Sequence, residues 1–171
     1  ITVSTLAEAE YFASHGYRDM TYAVGLSPAS ALRAMELCRR TGAEVKLLLD
    51  TVEQADALAH VREATGIVPS VLIELDVDDH RGGLKPDDPR LTEVADRVVA
   101  AGANLAGVLA HAGESYGLNT PAALIAAAES TAAWREYAAH APKNPAARPG
   151  RQSPPRPKPG RRRLKLGTLK R

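Results

Sequence analysis

Three observations predict an α/β fold with a parallel sheet. Apolar runs of strand length recur five times in the first 141 residues. Each is followed by a helix-start signal, and four of the helices then close on a glycine. Five β-then-α units in series imply parallel strands joined by right-handed crossovers. Two architectures satisfy that pattern, a doubly wound open sheet or part of a (β/α)8 barrel. A complete barrel takes about 250 residues, so this stretch would hold about five of the eight units.

The elements follow in order. The first strand is predicted over Ile1–Ser4, and Thr5 with Glu8 forms a capping box for a helix that stops near Gly16. The second strand spans Asp19–Val24. Ser27-Pro28 then starts a helix carrying Leu32, Met35, Leu37 and Cys38 on its apolar side, ending near Gly42. Glu44–Leu49 is the third strand. Thr51 with Gln54 is a second capping box, and Val52, Ala55, Leu58 and Ala59 carry the helix to Gly66, with the Arg62 stem along its boundary. The fourth strand is predicted over Val71–Val77, followed by Asp88-Pro89 and a stop near Gly102. The fifth runs Leu105–Ala110, before a helix opened by Thr120-Pro121. The strands read as near-continuous apolar runs, which predicts cover on both faces.

Composition agrees. Apolar residues make up 44 % of the 171, and the longest uncharged run, Val98 to Gly113, is too short and too rich in Gly and Ala to span a bilayer. No signal segment opens the chain. It begins with Ile1 rather than Met, so its natural start is expected upstream. Cys38 is the only cysteine, which fits a reducing compartment and a cytoplasmic location; on a helix face it reads as core rather than nucleophile.

The net charge of +2 conceals two unlike parts. Residues 142–171 hold 11 Lys and Arg, seven Pro and no Asp or Glu, whereas the other 11 basic and all 20 acidic residues leave 1–141 at −9. The chain therefore divides into a folded unit, 1–141, and a Pro/Arg-rich tail, 142–171, expected to be disordered or polyproline-like. The tail reads as an electrostatic arm, as a solvated extension, or as an out-of-frame read-through. No aromatic residues interleave its charges as base-stacking platforms, so nucleic acid is not the expected partner.

The candidate chemistry lies at the carboxyl ends of the strands, where both architectures bind ligands. Those ends present Thr5, Asp50, Asp76, Asp78, His80, Arg81, His111, Glu114, Ser115 and Tyr116. Arg81 precedes Gly82-Gly83, which lets backbone approach a ligand closely; its guanidinium suits a phenolate, carboxylate or phosphate, or else pairs with Asp78 or Asp79 on a surface loop. His111 is an acid, base, ring-stacking group or metal ligand, or a satisfied structural histidine. Tyr116 has a face and a hydroxyl to border a flat cofactor. Asp76, Asp78, Asp79 and His80 form an oxygen-and-imidazole cluster. However, Arg81 stands where an EF-hand needs glycine, and a lone cysteine excludes the usual zinc spacings. The P-loop, G-x-G-x-x-G and G-x-S-x-G motifs are absent.

Four stretches carry a resemblance: Ile1 to Glu10, Leu48 to Asp50, Glu74 to Asp88 and Ala106 to Tyr116. With their Asp-His-Arg-Gly-Gly and His-Ala-Gly-Glu-Ser-Tyr motifs, they resemble the D-threonine aldolase and D-serine dehydratase-like enzymes over residues 1 to about 130. These are fold type III members of the alanine racemase family, which use pyridoxal phosphate (PLP) in a (β/α)8 barrel. The resemblance implies a partial barrel of about five parallel βα units. It implies that Arg81 lies near the phenolic oxygen of the cofactor ring, that His111 lines the ring and that Tyr116 borders the pocket. The family's Schiff-base lysine lies upstream of the segment matching Ile1, and neither Lys46 nor Lys85 matches it, so no catalytic residue is assigned here. The family's phosphate loop should follow residue 130, where this sequence becomes Pro- and Arg-rich. The divalent metal of several members is held by a C-terminal β-domain, and no metal ligand is assigned in these 171 residues.

The expected function is accordingly that of a fragment of a PLP-dependent D-amino acid lyase, aldolase or dehydratase, inactive alone. The alternatives are a non-enzymatic binding protein with a nucleic-acid-contacting basic tail, and a small metal-dependent lyase using Asp76, Asp78, His80 and His111. A small D-amino acid would be the intact enzyme's substrate; a homodimer is compatible with the family, and no membrane partner is expected. Five barrel units leave two open sheet edges, which predicts association in solution.

Overall fold

The computed structural model describes residues 1–77 and 82–140, the last eight of these as backbone. The predicted tail, 142–171, therefore lies outside the described residues, as do Asp78, Asp79, His80 and Arg81. Five strands, β1 (Thr2–Val3), β2 (Asp19–Gly25), β3 (Glu44–Leu49), β4 (Ser70–Leu75) and β5 (Asn104–Ala110), alternate with five helices. The helices are α1 (Leu6–Ser14), α2 (Pro28–Thr41), α3 (Val52–Thr65), α4 (Arg90–Ala100) and α5 (Pro121–His140).

All strands are parallel, and their spatial order is β1-β2-β3-β4-β5. That order decides between the two architectures. A doubly wound sheet must reverse its strand order at a switch point so that helices cover both faces. A sequential order with right-handed crossovers puts every helix on one face, the winding of a barrel wall. The sheet is a five-unit partial barrel.

Apart from α4, whose N-cap is Pro89 rather than the expected Asp88, the local signals lie where the sequence put them. Thr5, Ser27 and Thr51 cap α1, α2 and α3, each in a reciprocal capping box with Glu8, Ser30 and Gln54. Asp88 Oδ1 accepts the Arg90 N–H at 2.8 Å before α4, and Thr120 Oγ1 accepts the Ala123 N–H at 3.3 Å before α5. Gly16, Gly42, Gly66 and Gly102 all take positive φ at the helix stops.

Burial is mostly one-sided, which differs from the two-faced cover expected of apolar runs. Val3, Met20, Tyr22, Val45, Leu47, Leu49, Val71, Ile73 and Leu75 share the helix-bearing face and are buried in one core cluster with the inner residues of the helices. The opposite face, with Thr21, Ala23, Lys46, Leu72 and Glu74, is half-buried, except at Leu48, which is fully buried there. A partial barrel explains this, since its second face is the lumen side. Two strands are also shorter than predicted: β1 is confined to Thr2–Val3, and β4 ends at Leu75 rather than Val77.

A bulge positions β5. Its register with β4 slips between Val71↔Leu105 and Leu72↔Gly107, where Gly107 takes φ +145°. A one-residue slip exchanges the faces of everything that follows. Val108 and Ala110, rather than Gly107 and Leu109, thus pack toward the helices beside Ile73 and Leu75.

Candidate functional site

Two clusters occupy the carboxyl rim of the sheet. The first is built on β3 and β4. Past Leu75 the chain returns so that Leu84 bridges Leu75: the Leu84 N–H donates to the Glu74 carbonyl and the Asp76 N–H to the Leu84 carbonyl, both at 3.0 Å. Gly83, at φ +112°, lies so close to β4 that a Cβ there would sit 2.8 Å from the Asp76 nitrogen and 2.9 Å from the Leu75 carbonyl carbon. No other residue type fits this position without moving backbone. The Gly83 N–H donates to Asp50 Oδ2 at 2.8 Å, and Lys85 Nζ pairs with Asp76 Oδ2 at 2.8 Å.

The second cluster is built on β5. His111 leaves the strand, and a single 3-10 turn over Gly113–Gly117 brings Tyr116 back beside it, with ring centroids 5.7 Å apart and planes at 52°. Ser115 Oγ closes the turn by donating to the Ala112 carbonyl at 2.7 Å. The rings line a cavity of about 530 Å³ whose far wall is the Leu124, Ala127, Ala128 and Thr131 face of α5. Tyr116 is 80 % exposed. His111 Nε2 is buried and has no hydrogen-bond partner among the described residues, an unusual state for a buried polar atom and one that calls for a partner such as a water or a ligand group.

The other sequence-derived candidates have structural work. Thr5 is spent on its capping box. Cys38 is half-buried on α2, and burial pushes its thiol above the ordinary range. Arg81, Asp78, Asp79 and His80 lie outside the described residues. Sequence reasoning missed the part played by Asp50 and the pairing of Asp76 with Lys85. The Gly82-Gly83 pair was the available signal, because two consecutive glycines beside a strand end announce a close backbone approach.

Electrostatic shifts are resolved at the rim's approaches. The Arg90 guanidinium and N–H hold the Asp88 carboxyl below its ordinary value, and the Ser4 and Thr5 N–H groups do the same for Glu8. No group of three or more His, Cys, Asp or Glu side chains among the described residues is arranged to hold a metal ion, and no described helix is long and apolar enough to cross a membrane.

Known proteins share this wall. The family model of the alanine racemase N-terminal domain matches residues 1–150. The chain belongs to the alanine racemase N-terminal domain family. It is 44 % identical to the D-threo-3-hydroxyaspartate dehydratase of Delftia sp. (strain HT23) over 142 residues, 82 % of this chain but 37 % of that one. That enzyme's structure superposes with a TM-score of 0.77, and a variant of it has been solved in a metal-free form. An alanine racemase-like protein from Idiomarina loihiensis is 41 % identical with a TM-score of 0.73, over 80 % of this chain and 36 % of that one. D-threonine aldolase from Filomicrobium marinum, at 22 % identity and a TM-score of 0.69 over 78 % of this chain and 36 % of that one, shares the fold. The chain thus spans little more than a third of the dehydratase it matches, within the PLP-dependent fold type III enzymes. The residues present fit that cofactor on one side only. A cavity with two rings and a buried imidazole nitrogen suits a flat heteroaromatic group, and among the described residues no lysine lines it.

Proposed function

We propose that this chain forms one wall of the cofactor pocket in a PLP-dependent D-amino acid dehydratase acting on a β-hydroxy amino acid. The observation that carries this reading is the 44 % identity to a hydroxyaspartate dehydratase, sustained over 142 residues, against 22 % to a D-threonine aldolase. Bound PLP supplies the electron sink for the reaction. His111 and Tyr116 present ring surface to it, and His111 Nε2 is placed to exchange a hydrogen bond with a polar group entering the cavity. Arg81, two residues before the anchored Gly83, is assigned to the phenolic oxygen of the ring, where a guanidinium stabilises the ionised form. The cytoplasm is the expected setting, and the substrate is a small D-amino acid.

The 171 residues contain no lysine that matches the family's Schiff-base position, so binding without turnover is the expected behaviour of this chain alone. The test is to incubate it with PLP, reduce with borohydride and map the peptides, then assay D-threo-3-hydroxyaspartate, D-serine and D-threonine. Reversible binding with no stoichiometric lysine adduct and no product is expected. Ammonia and a keto acid released by this chain would overturn the claim of inactivity, and glycine with an aldehyde would overturn the dehydratase assignment.

A further inference from the structure

A chain of hydrogen bonds crosses the rim from β2 to the loop after β4. Gln54 Nε2 donates to the Leu26 carbonyl at 3.0 Å, while Gln54 Oε1 accepts from the N–H groups of Asp50 at 2.9 Å and Thr51 at 3.1 Å. Asp50 passes the link on, since its Oδ2 accepts the Gly83 N–H at 2.8 Å. Leu26, Asp50 and Gly83 follow or flank three different strands. Nothing in helix capping requires the second half of this network. A capping box needs Gln54 to bond near Thr51, but it does not need Asp50 to reach a glycine 33 residues away.

We propose that Asp50, held by Gln54, is a positioning residue that fixes the Gly82–Leu84 segment over the end of β4 and thereby sets the rim of the ligand site. Three features support it. The carboxylate is half-buried, and a charged acceptor makes a stronger bond to a backbone N–H than a neutral one. Gly83 cannot be displaced toward β4, where backbone already fills the space a Cβ would take. The segment so held adjoins the second cluster, because Leu75 and Ala110 are register partners and Asp76 and His111 directly follow them. The link to the cofactor rests on the PLP reading above; the anchor itself does not.

The test uses the 171-residue chain and its Asp50→Ala, Asp50→Asn and Gln54→Ala variants. Amide exchange at Gly83 and Leu84 is followed by NMR, and PLP affinity by absorbance titration. Asp50→Ala should speed Gly83 exchange roughly tenfold or more, the loss expected for one hydrogen bond to a charged group. Asp50→Asn, which keeps an acceptor oxygen, should recover much of the protection, and Gln54→Ala should fall between. PLP affinity should drop in the same order. Unchanged Gly83 exchange in Asp50→Ala overturns the anchor. Faster exchange with unchanged PLP affinity overturns the positioning role and leaves a structural tie. If the unaltered chain binds no PLP, the cofactor reading has failed, and the exchange data still decide the anchor. Should Asp50→Ala fail to fold, the Asn and Gln54 variants carry the comparison.

Discussion

His111 and Tyr116 face each other at 5.7 Å across a strand end and a 3-10 turn, one half-buried and the other 80 % exposed. The pair makes the wall of a cavity, and its buried Nε2 is unsatisfied. An unsatisfied buried polar atom costs on the order of 1–3 kcal/mol, whereas an apolar ring of similar shape costs little there. His111→Phe should therefore leave the thermal midpoint unchanged or raise it, while PLP affinity falls roughly tenfold for one lost hydrogen bond. A destabilised His111→Phe would mean that Nε2 finds a partner in solution. Calorimetry and an absorbance titration on the same samples make the check.

The one-sided core predicts unequal costs on the two faces of the sheet. Leu47 is fully buried under the helices, and Leu72 on the opposite face is half-buried. Leu47→Ala should cost about 3–5 kcal/mol and Leu72→Ala about half that or less, measured by chemical denaturation. Equal costs would show that the second face is buried in solution, as it would be if copies of the chain associate through it.

Much of this architecture was legible because it is written locally. Thr5–Glu8 and Thr51–Gln54 lie within one helical turn, and the glycine stops need only a positive φ, so spacing alone exposes them. The one-sided burial was also on the page: Lys46 in β3 and Glu74 in β4 interrupt apolar runs that would be unbroken if both faces were covered. The end of β4 was misplaced because Val77 continues the apolar pattern, while the strand's pairing ends where Leu84 returns to bond Glu74 and Asp76. The Asp50–Gly83 bond could not be read at all, since contacts between distant loops leave no period. The cavity wall on α5 is tertiary in the same way.

Acid should loosen the chain through two depressed carboxyls. Glu8 accepts from the Ser4 and Thr5 N–H groups at 2.8 and 2.9 Å, and Asp88 accepts from Arg90. Both titrate lower in the folded chain than their ordinary values of 4.5 and 3.8. Each then contributes stability that is fully present above its ordinary value and is lost as pH falls through the folded value. The thermal midpoint should decline from about pH 4.5 downward, and Glu8→Gln should flatten the upper part of that decline. Glu8 is exposed and Asp88 is half-buried, so salt should blunt the Glu8 part of the effect more. A decline identical in Glu8→Gln would assign it elsewhere.

The adjacent glycines 82 and 83 should respond oppositely to the same substitution. A Cβ on Gly82 would meet the Glu74 carboxylate at 3.4 Å and that of Asp50 at 3.6 Å, ordinary contacts with side-chain ends that can yield. A Cβ on Gly83 would meet backbone atoms of Asp76, Leu75 and Glu74 at 2.8 to 3.0 Å, from a φ of +112° that disfavours any side chain. Gly82→Ala should thus change stability by less than about 1 kcal/mol. Gly83→Ala should cost about 2–4 kcal/mol or expel the segment from β4, since strain and overpacking add. Denaturation midpoints give the energies, and loss of Leu84 amide protection reports the expulsion. Equal tolerance at both positions would mean that the return of Leu84 onto β4 does not persist in solution, and the rim would then have no fixed edge beside His111.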